Sequence, residues 1–562
     1  MPSMKDQTKI VIVGGVAGGM SAATRSRRLD ENASITVFER GPYVSYANCG
    51  IPYALGGEIE DDDSLLLQSP EALKSRFNID VYTRSEALDI DRTNRLIYVR
   101  NDDDEMVTKV LYDKLILSQG AQPWRPSMEG IDLPHVFSLQ TVPDLKRIKD
   151  FLGEKRSNNI CIIGGGFIGL ETAEQLRNRG DNVTILEYMP HVFPPIDLDI
   201  AESLHSEVRK HGVKLQLNAR VRRIEATHVI LEDGSQVEAE MVLVLAGVRA
   251  RTELARKAGL LVGKAGVTVN EFMQTSDLDI YAVGDMVETE NRIAHSPMVL
   301  ALGGPANRQG RLAADHIFGK DVRYRGNVGT SVCRVFDLTV ACVGLSVSAL
   351  RARGQNPLWV TVHSPHHAGY YPGANPITLR VIFERGTGLL LGCQAVGRSG
   401  VDKRIDVVST AIQARLTIFD LEHLELAYAP PYGSAKDPVN MAGFVGSNLL
   451  RSDYELIHPE DMVAMLQDKM AAQNMQIIDV RSPEEFARGH IPRAVNIPIS
   501  ALRHRIRALD QAKSVVVYCF VGYRGYLAYR ILKQRGFSVV NLDGGFKSVV
   551  DGHFETLTDD TK

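Results

Sequence analysis

The sequence predicts an α/β protein with two dinucleotide-binding domains, an α+β domain and a small C-terminal α/β domain. Residues 9–30 and 159–180 each read as a buried strand, a glycine-rich turn and a helix, which predicts the two nucleotide-binding domains. After residue 461 a compact unit follows, with strands 476–480 and 514–520 and helices between them. At 562 residues the chain is too long for one hydrophobic core, so several domains are expected.

Composition and charge exclude several classes of function. The net charge of −4 gives no reason to expect a nucleic acid or an anionic membrane as partner. No apolar run is long enough to span a bilayer, and the polar start leads straight into a strand without a secretory signal. Six scattered cysteines suggest neither a disulfide framework nor a CxxC metal motif. We therefore expect a cytoplasmic protein without a metal site.

The first glycine-rich turn keeps only the outer glycines of the dinucleotide-binding pattern. Gly14 and Gly19 match the outer positions, whereas Val16 occupies the middle one. Such a turn can also be purely structural. Glu39 ends the next strand, at the position of a ribose-binding acid, and this strengthens the nucleotide-binding interpretation.

The second glycine-rich turn is regular. Gly164, Gly166 and Gly169 fit GxGxxG, in which glycine permits a tight turn, close approach to a pyrophosphate and close helix packing. The N–H groups at the helix start would bind the phosphates. Glu187 ends the following strand, where a carboxylate accepts hydrogen bonds from a ribose 2′-hydroxyl and disfavours a 2′-phosphate. This favours NADH over NADPH.

The two turns, followed in order by "YAVGD" (281–285), resemble the pyridine nucleotide–disulfide oxidoreductase family over about residues 8–448. The resemblance implies FAD in the first domain and NAD(P)H in the second. It implies these FAD-binding residues: Gly14, Val16, Ala17, Gly19, Glu39, Arg40, Asn48, Gly284 and Asp285. The expected domain limits are 1–120 with 246–325 for FAD, 121–245 for NAD(P)H, 326–448 for dimerisation, 449–460 for a linker and 461–562 for the C-terminal domain.

Cys49 lies in "SYANCGIPYA", shortly after the first nucleotide unit. Family members with a redox disulfide have CxxxxC at the flavin, but here Ala54 stands in place of the second cysteine. A buried structural cysteine and a lone reactive thiol remain as alternatives. The segment resembles the "SFANC" segment of coenzyme A-disulfide reductases. Single-cysteine peroxidases and oxidases typically carry a histidine in the first glycine turn, where this chain has Ala17.

This closer resemblance implies thiol–disulfide exchange at Cys49, which forms a mixed disulfide with coenzyme A (CoA) and is recycled by NADH through FAD. Such exchange needs an accessible thiolate. The resemblance also implies a CoA site with these residues: Ser21, Arg25, Arg28, Ser45, Asn48 and Lys436. For the arginines, a solvated helix face is the alternative.

Two later segments, "HSPHHAGYYPGANPITLR" and "LAYAPPYGSAKDPVNMAG", resemble the dimerisation domain of the same subfamily. The resemblance implies a homodimer in which two tyrosines reach the neighbouring subunit's cysteine. Tyr370 and Tyr428 match best, and Tyr371 and Tyr432 remain as alternatives. A phenol there would donate a hydrogen bond to a leaving thiolate. The histidines of the first segment have no second ligand cluster, so they do not predict a metal.

The C-terminal part resembles the rhodanese domain in "IIDVRSPEEFARGHIPRAVNIP" and "YCFVGYRGYLAYRILKQRGF". Cys519 follows a buried strand, and its loop leads into a helix whose N–H groups would lower the pKa of a thiol. Four residues separate Cys519 from Arg524, as in sulfurtransferases. Many rhodanese-like domains lack this cysteine and only dock partners, so its presence indicates a persulfide carrier. The other cysteines are predicted to be structural: Cys161, Cys333, Cys342 and Cys393.

Together these features predict an FAD-dependent enzyme that uses NADH to reduce the S–S bond of CoA persulfide, polysulfide or CoA disulfide. Cys49 attacks this bond and Cys519 carries sulfane sulfur. The fusion favours a persulfide or polysulfide, because a symmetric disulfide needs no sulfane-sulfur carrier. Two alternatives remain: an NADH oxidase or peroxidase of the single-cysteine branch, and a non-enzymatic NADH-sensing flavoprotein whose tail docks a partner.

Overall fold

The structure is a computed structural model that describes residues 7–103, 105–153 and 158–558. The chain forms two compact units. Unit 1 contains Met1–Tyr188 and Asn218–Asn327, and unit 2 contains Met189–Leu217 and Val328–Lys562. Across the described ranges, no helix is both long enough and apolar enough to cross a membrane.

The first nucleotide-binding sheet of unit 1 has five parallel strands. In order across the sheet they are Ile280–Ala282, Lys114–Leu117, Lys9–Val13, Ser34–Phe38 and Asp80–Tyr82. Buried aliphatic side chains on both faces form the core, as expected for a parallel sheet. Because the strands are parallel, the glycine turn, Glu39 and Asp285 all follow strand ends at one edge, where α/β proteins bind ligands.

The second nucleotide-binding sheet repeats this plan. Within unit 1 its parallel strands are, in order, Asn182–Leu186, Asn159–Ile163, Met241–Val244 and Val136–Phe137. The helix Phe167–Arg179 connects the strands Asn159–Ile163 and Asn182–Leu186. The GxGxxG turn and Glu187 therefore follow adjacent strands at the same edge.

The remaining elements of unit 1 connect or cover these sheets. The helices are Ala17–Leu29, Ile51–Gly56, Pro70–Phe77, Val142–Leu152, Glu253–Lys257 and Gly303–Ile317, with 3-10 turns Asn48–Gly50 and Asp62–Leu65. The strands are Ser85–Asp91, Leu96–Asn101, Val107–Leu111, Ala121–Pro123, Val221–Ile224, His228–Leu231, Gln236–Glu238, Val248–Ala250, Val267–Thr268, Val287–Asn291 and Ser296–Met298.

Unit 2 contains an antiparallel sheet followed by a parallel one. The antiparallel strands are, in order, Ser331–Val335, Leu338–Gly344, Leu390–Gly397, Pro376–Phe383 and Leu358–Pro365. Leu358–Pro365, called here the edge strand, has no strand partner on its outer side within the described residues. The parallel strands are, in order, Leu456–Ile457, Val539–Leu542, Ser514–Tyr518, Met475–Asp479 and Val495–Asn496.

The other elements of unit 2 are mainly helical. The helices are Leu198–Lys210, Val347–Arg351, Val401–Gln413, Ile418–His423, Pro438–Leu450, Pro459–Gln467, Lys469–Gln473, Pro483–Ala487, Ile499–Arg505, Tyr523–Lys533 and Gly545–Asp551, with 3-10 turns Ile506–Ala508 and Glu555–Leu557 and the strand Lys214–Gln216.

The predicted linker 449–460 is folded chain. The helix Pro438–Leu450 ends inside it, and Leu456–Ile457 is a strand of the parallel sheet. Tyr454 is buried and packs edge-on against Tyr526 and Tyr529. A span of about 40 Å, which the residue count allows for extended chain, is therefore not available to this segment.

The helix Leu198–Lys210 lies, by sequence, inside the predicted NAD(P)H domain, yet it belongs to unit 2. The buried Arg380 guanidinium of the antiparallel sheet contacts Asp199 at the helix start, with an N–O distance of 2.9 Å. Asp197 accepts hydrogen bonds from the Ser348 N–H and the Gln394 amide at 2.9 and 2.7 Å. Because a buried charge needs a partner, these contacts hold the segment in unit 2.

Candidate functional site

The first glycine turn is built for close backbone approach. Gly14 has a φ of 103°, and a Cβ on it would lie 2.2 Å from the Ser118 carbonyl oxygen. A Cβ on Gly19 would lie 1.9 Å from the Gly14 carbonyl oxygen. Side chains are excluded at both outer positions, which fixes the helix against its strand. Val16 precedes the helix, where the middle glycine of the pattern would stand.

A cavity of about 340 Å³ opens at this edge of the first sheet. The predicted FAD residues that line it are Gly14, Val16, Ala17, Glu39, Arg40, Asn48, Gly284 and Asp285. Glu39 accepts hydrogen bonds from the N–H groups of Gly15 and Gly41 at 2.8 and 2.7 Å. Gln119 also lines the cavity. The oxygen of its side-chain amide is buried and has no hydrogen-bond partner among the described residues.

These groups fit FAD. Burial raises the pKa of the Asp285 carboxyl to about 6. Hydrogen bonds from hydroxyl groups, such as those of a ribityl chain, would stabilise its charged form. The unpartnered Gln119 oxygen likewise accepts a donor from a ligand. The N–H groups at the start of the helix Ala17–Leu29 suit a pyrophosphate. The sequence pattern predicted Asp285 but did not indicate Gln119.

The second glycine turn has the same geometry. A Cβ on Gly169 would lie 2.0 Å from the Gly164 carbonyl oxygen, whereas a Cβ on Gly166 would meet no heavy atom within 4 Å. The space at Gly166 is therefore open to a ligand. Glu187 is buried and accepts a hydrogen bond from the Gly165 N–H at 2.6 Å, as Glu39 does at the first turn. The residues present fit a second dinucleotide.

Arg220 is a residue that sequence reasoning missed at this turn. Its guanidinium carbon lies 5.0 Å from the ring centroid of Tyr188, which follows Glu187 and is exposed. A cation stacked on an aromatic ring is held in place. Arg220 and Tyr188 are far apart in the sequence, so no local sequence pattern indicates their contact.

Cys49 is the exposed cysteine of the chain, and Cys161, Cys333, Cys342, Cys393 and Cys519 are buried. It lies in the 3-10 turn Asn48–Gly50, immediately before the helix Ile51–Gly56. Ala54 is fully buried in that helix. Partial burial of the sulfur, and then the carboxylates of Glu171 and Asp285, raise the pKa of the Cys49 thiol. Asn48, the residue before Cys49 in the same turn, lines the cavity, so the turn places the cysteine beside it.

Glu171 is a second residue that the sequence did not indicate. It lies on the helix Phe167–Arg179 and accepts a hydrogen bond from the Tyr53 hydroxyl at 3.0 Å. Its carboxylate opposes ionisation of the Cys49 thiol. Among the described residues, the groups that act on the Cys49 thiol raise its pKa and so oppose its ionisation.

Some of the predicted CoA-binding residues already have hydrogen-bond or ion-pair partners within the protein, and others are exposed. The Ser21 hydroxyl donates to the Asn307 carbonyl oxygen at 2.9 Å, and Arg25 forms an ion pair with Asp315 at 2.6 Å. Arg28 is exposed, as is Lys436 in unit 2. An anion at Arg25 would compete with Asp315, so the exposed cations are better placed to bind phosphate.

Ser45 has a left-handed backbone with a φ of 49°, which is uncommon for a residue with a side chain. Its N–H donates to the Gly15 carbonyl oxygen at 2.7 Å, and its carbonyl oxygen accepts from the Leu67 N–H at 3.0 Å. These two bonds hold the strained residue beside the first glycine turn. Strain of this kind concentrates at binding sites.

The four candidate tyrosines have different contacts in the structure. The hydroxyl oxygens of Tyr370 and Tyr428 lie 3.1 Å apart, and both rings are exposed. Tyr371 instead packs edge-on against His367, with ring centroids 5.5 Å apart, and the Tyr432 N–H donates to the Ala429 carbonyl oxygen at 2.9 Å. Tyr370 and Tyr428 are thus brought together as one pair of phenols.

Cys519 follows the strand Ser514–Tyr518, and its loop leads into the helix Tyr523–Lys533. The cysteine is buried at 1% exposure. Arg524 forms a two-point contact with Glu485, at 2.7 Å for each bond, and this contact chiefly raises the pKa of Arg524. The same contact lowers the pKa of Glu485 to about 2. Glu485 was missed, although its place in the Ser482 capping box is a local signal for a fixed carboxylate.

The paired glycine turns and the lone exposed thiol define a nucleotide-dependent thiol–disulfide oxidoreductase. The chain belongs to the pyridine nucleotide-disulphide oxidoreductase family, whose model matches residues 8–303, while the family's dimerisation domain matches residues 330–437. A rhodanese-like domain matches residues 462–551. The predicted fold class and family are confirmed, and the family implies FAD and NAD(P)H as cofactors.

Among curated proteins, coenzyme A disulfide reductase from Staphylococcus haemolyticus is 33% identical, over 78% of this chain and 100% of the relative. NADH oxidase from Methanocaldococcus jannaschii is also 33% identical, over 77% of this chain and 97% of the relative. The solved structure of reduced CoADR-RHD from Bacillus anthracis matches with a TM-score of 0.96 at 42% identity, covering 99% of this chain and 100% of that one. A NAD-dependent persulfide reductase from A. fulgidus matches with a TM-score of 0.90 at 37% identity, covering 96% and 100%.

Proposed function

We propose that this chain is an NADH-dependent reductase of the S–S bond in CoA persulfide, polysulfide or CoA disulfide, acting as a homodimer. The observation that carries the proposal is the exposed Cys49 beside the nucleotide cavity, with Ala54 in place of a second cysteine. A lone thiol there needs an external sulfur partner to form a disulfide. The coenzyme A disulfide reductase among the relatives supports CoA as that partner, and the persulfide reductase supports a persulfide as the substrate.

In the proposed reaction, the Cys49 thiolate attacks a sulfur bonded to CoA in CoA persulfide or CoA disulfide, and polysulfide sulfur enters once Cys519 has passed it to CoA. A Cys49–S–S–CoA bond forms, the original S–S bond breaks, and hydrosulfide or a thiolate leaves with its electron pair. When bound in the cavity, FAD supplies the two electrons, drawn from NADH, that reduce this mixed disulfide. Cys49 and CoA then return as thiolates and take up protons from solvent.

Residues around the Cys49 thiol are proposed to assist the proton transfers of the reaction. Because the pKa of Cys49 is raised, the thiol must lose its proton before it attacks. Tyr370 and Tyr428 are proposed to donate a hydrogen bond to the leaving thiolate at Cys49 of the partner subunit. Their shared hydrogen bond supports this assignment, since one phenol orients the other.

We assign Cys519 to sulfane-sulfur transfer, with Arg524 holding the loop through Glu485. The thiolate attacks a donor's outer sulfur, forms a Cys519 persulfide and releases the donor thiolate; a CoA thiolate then takes up that sulfur as CoA persulfide. The fused rhodanese favours persulfide or polysulfide as the substrate. CoA is proposed to contact Ser21, Arg25, Arg28, Ser45, Asn48 and Lys436.

The decisive test compares wild type with Cys49→Ser. The variant should bind FAD, and NADH should still reduce the flavin, because hydride transfer needs no thiol. NADH-dependent reduction of CoA persulfide and CoA disulfide should fall by at least a hundredfold. Substantial turnover in the variant would overturn the proposal.

An NADH oxidase is the second candidate, and the M. jannaschii relative favours it. Ala17 argues against a peroxidase, since it provides no base at the first glycine turn. Steady-state NADH oxidation with oxygen, peroxide and CoA persulfide as separate acceptors distinguishes the candidates. A kcat/KM for oxygen above that for CoA persulfide would favour the oxidase.

A further inference from the structure

Residues 543–548, called here the docking segment, connect the antiparallel sheet of unit 2 to the Cys519 loop. The segment follows the strand Val539–Leu542 and enters the helix Gly545–Asp551. Its first and last residues, Asp543 and Ser548, are buried. Neither was indicated by the rhodanese sequence pattern, because their partners lie in another domain.

Asp543 binds the otherwise open side of the edge strand. One carboxylate oxygen accepts the Thr361 N–H at 3.0 Å, and the other lies 3.2 Å from the Nδ1 atom of His458. The His458 ring stacks on Trp359 of the edge strand, with centroids 3.7 Å apart. A free N–H of a sheet edge is thereby satisfied by a rhodanese carboxylate.

Ser548 makes the second contact to the edge strand. Its hydroxyl oxygen lies 2.9 Å from Nε2 of His363, whose Nδ1 lies 3.0 Å from the Thr378 hydroxyl oxygen. Burial lowers the pKa of His363 to about 3, so the ring is neutral and bridges two hydroxyl groups. The bridge leaves neither ring nitrogen unsatisfied.

Two glycines fill the narrow space between the edge strand and the Cys519 loop. Gly544 and Gly545 have φ values of 64° and 66°. A Cβ on Gly544 would lie 1.9 Å from the Ser548 hydroxyl oxygen, and a Cβ on Gly545 would lie 2.5 Å from the Cys519 carbonyl oxygen. Only glycine permits both the backbone conformation and the close approach.

The other end of the docking segment holds the loop itself. The Phe546 N–H donates to the Cys519 carbonyl oxygen, and the Lys547 N–H donates to the Phe520 carbonyl oxygen, both at 2.8 Å. In a trans peptide, the C=O and the next N–H point in opposite directions. The N–H groups of Phe520 and Val521 therefore point away from the docking segment, and no described residue accepts from them.

We propose that the edge strand, acting through Asp543 and Ser548, positions the Cys519 loop so that the Phe520 and Val521 N–H groups face the sulfur anion. His363 and Thr361 are then positioning residues for sulfur transfer, although they lie outside the rhodanese domain. The proposal deepens the proposed function of Cys519 and rests on it. Loosening either contact would let the loop peptides rotate and would remove donors from the persulfide.

The test uses the full-length holoenzyme carrying Asp543→Ala or Ser548→Ala. Sulfur transfer from glutathione persulfide to Cys519 should fall about tenfold in the first variant and about threefold in the second. Asp543→Asn should recover much of the loss, because the amide oxygen still accepts the Thr361 N–H. NADH-dependent reduction of CoA disulfide at Cys49 should stay within twofold of wild type in all three.

Glu460→Gln is the matched control. Glu460 forms an exposed ion pair with Arg351 at 2.8 Å and does not touch the docking segment. The change leaves Arg351 stacked on Trp359 of the edge strand, where its guanidinium carbon lies 4.9 Å from the ring centroid. The control should keep wild-type sulfur transfer. An equal loss in Glu460→Gln would overturn the proposal, since it would show a general effect of domain docking.

The rate of Cys519 alkylation by iodoacetamide at a fixed pH, in a Cys49→Ser background, separates positioning from sulfur transfer. Loss of N–H donors to the sulfur anion should slow alkylation severalfold in Asp543→Ala, while the ion pair of Arg524 and Glu485 stays in place. Urea unfolding checks the fold of each variant, and Ser548→Ala is the milder change. A wild-type alkylation rate in both variants would overturn the proposal, whereas absent sulfur transfer in wild type would overturn only the function assigned to Cys519.

Discussion

Glu187→Gln should largely remove the preference for NADH over NADPH. The carboxylate is buried at the end of its strand and is fixed by the Gly165 N–H at 2.6 Å. A charge-assisted hydrogen bond to a ribose hydroxyl contributes about 1.5–3 kcal/mol. Repulsion of a phosphate charge about 4 Å away adds up to about 4 kcal/mol at an effective dielectric constant of about 20. At about 1.4 kcal/mol for each factor of ten, the hydrogen bond alone gives wild type a preference for NADH of about tenfold to a hundredfold in kcat/KM, and the repulsion increases it.

The assay is stopped-flow reduction of the bound flavin by each cofactor. Glutamine keeps the acceptor for the Gly165 N–H, so the turn should stay intact while the ratio falls to about fivefold or less. Glu240→Gln is the control: Glu240 accepts the Asn159 N–H at 2.9 Å, at the opposite end of the same sheet. An unchanged ratio in Glu187→Gln would refute the reasoning, and so would an equal change in the control.

Three further predictions concern the same sites. The pKa of Asp285 is raised to about 6, so its carboxylate destabilises the FAD-free fold increasingly as pH rises from about 4 through 6; Asp285→Asn should stabilise that form by about 2–3 kcal/mol at pH 8 in urea unfolding, and a larger gain at pH 4 would contradict this sign. Gly166→Ala should leave the melting temperature and FAD content nearly unchanged but raise the KM for NADH about tenfold or more, because its Cβ meets only ligand space. Tyr370→Phe and Tyr428→Phe should each slow S–S cleavage about two- to tenfold, and less than additively together because their hydroxyls share one bond; full activity in the double variant would remove both from the mechanism.

Much of the nucleotide-binding chemistry could be predicted because it is local. A strand, a glycine turn and a helix are consecutive in sequence, and the acid of the next strand follows within about one βαβ unit. Glu39 and Glu187 were found in this way, and the structure ties each to the glycine turn it follows. Cys49 stood out for the same reason, since the missing cysteine at Ala54 is a matter of spacing alone.

Contacts between distant segments could not be predicted. Glu171 raises the pKa of Cys49 from more than a hundred residues away, and Arg220 stacks on Tyr188 without any shared pattern. The sequence favoured Tyr370 and Tyr428 among four tyrosines, but only the coordinates show that their hydroxyl oxygens lie 3.1 Å apart. The distance between two residues that are far apart in sequence depends on the tertiary fold, and their spacing in the sequence does not predict it.

The sequence by itself determined that the chain carries two dinucleotide-binding turns and singled out Cys49 and Cys519 as candidate reactive cysteines, because these features reside in short consecutive motifs. The tertiary structure decided that Leu198–Lys210 joins unit 2 and that Asp543 satisfies the edge strand next to the Cys519 loop. Buried charges and open strand edges must find partners wherever the folded chain supplies them. Such partners are close in the folded structure but distant in sequence, so only the tertiary structure shows which residues they are.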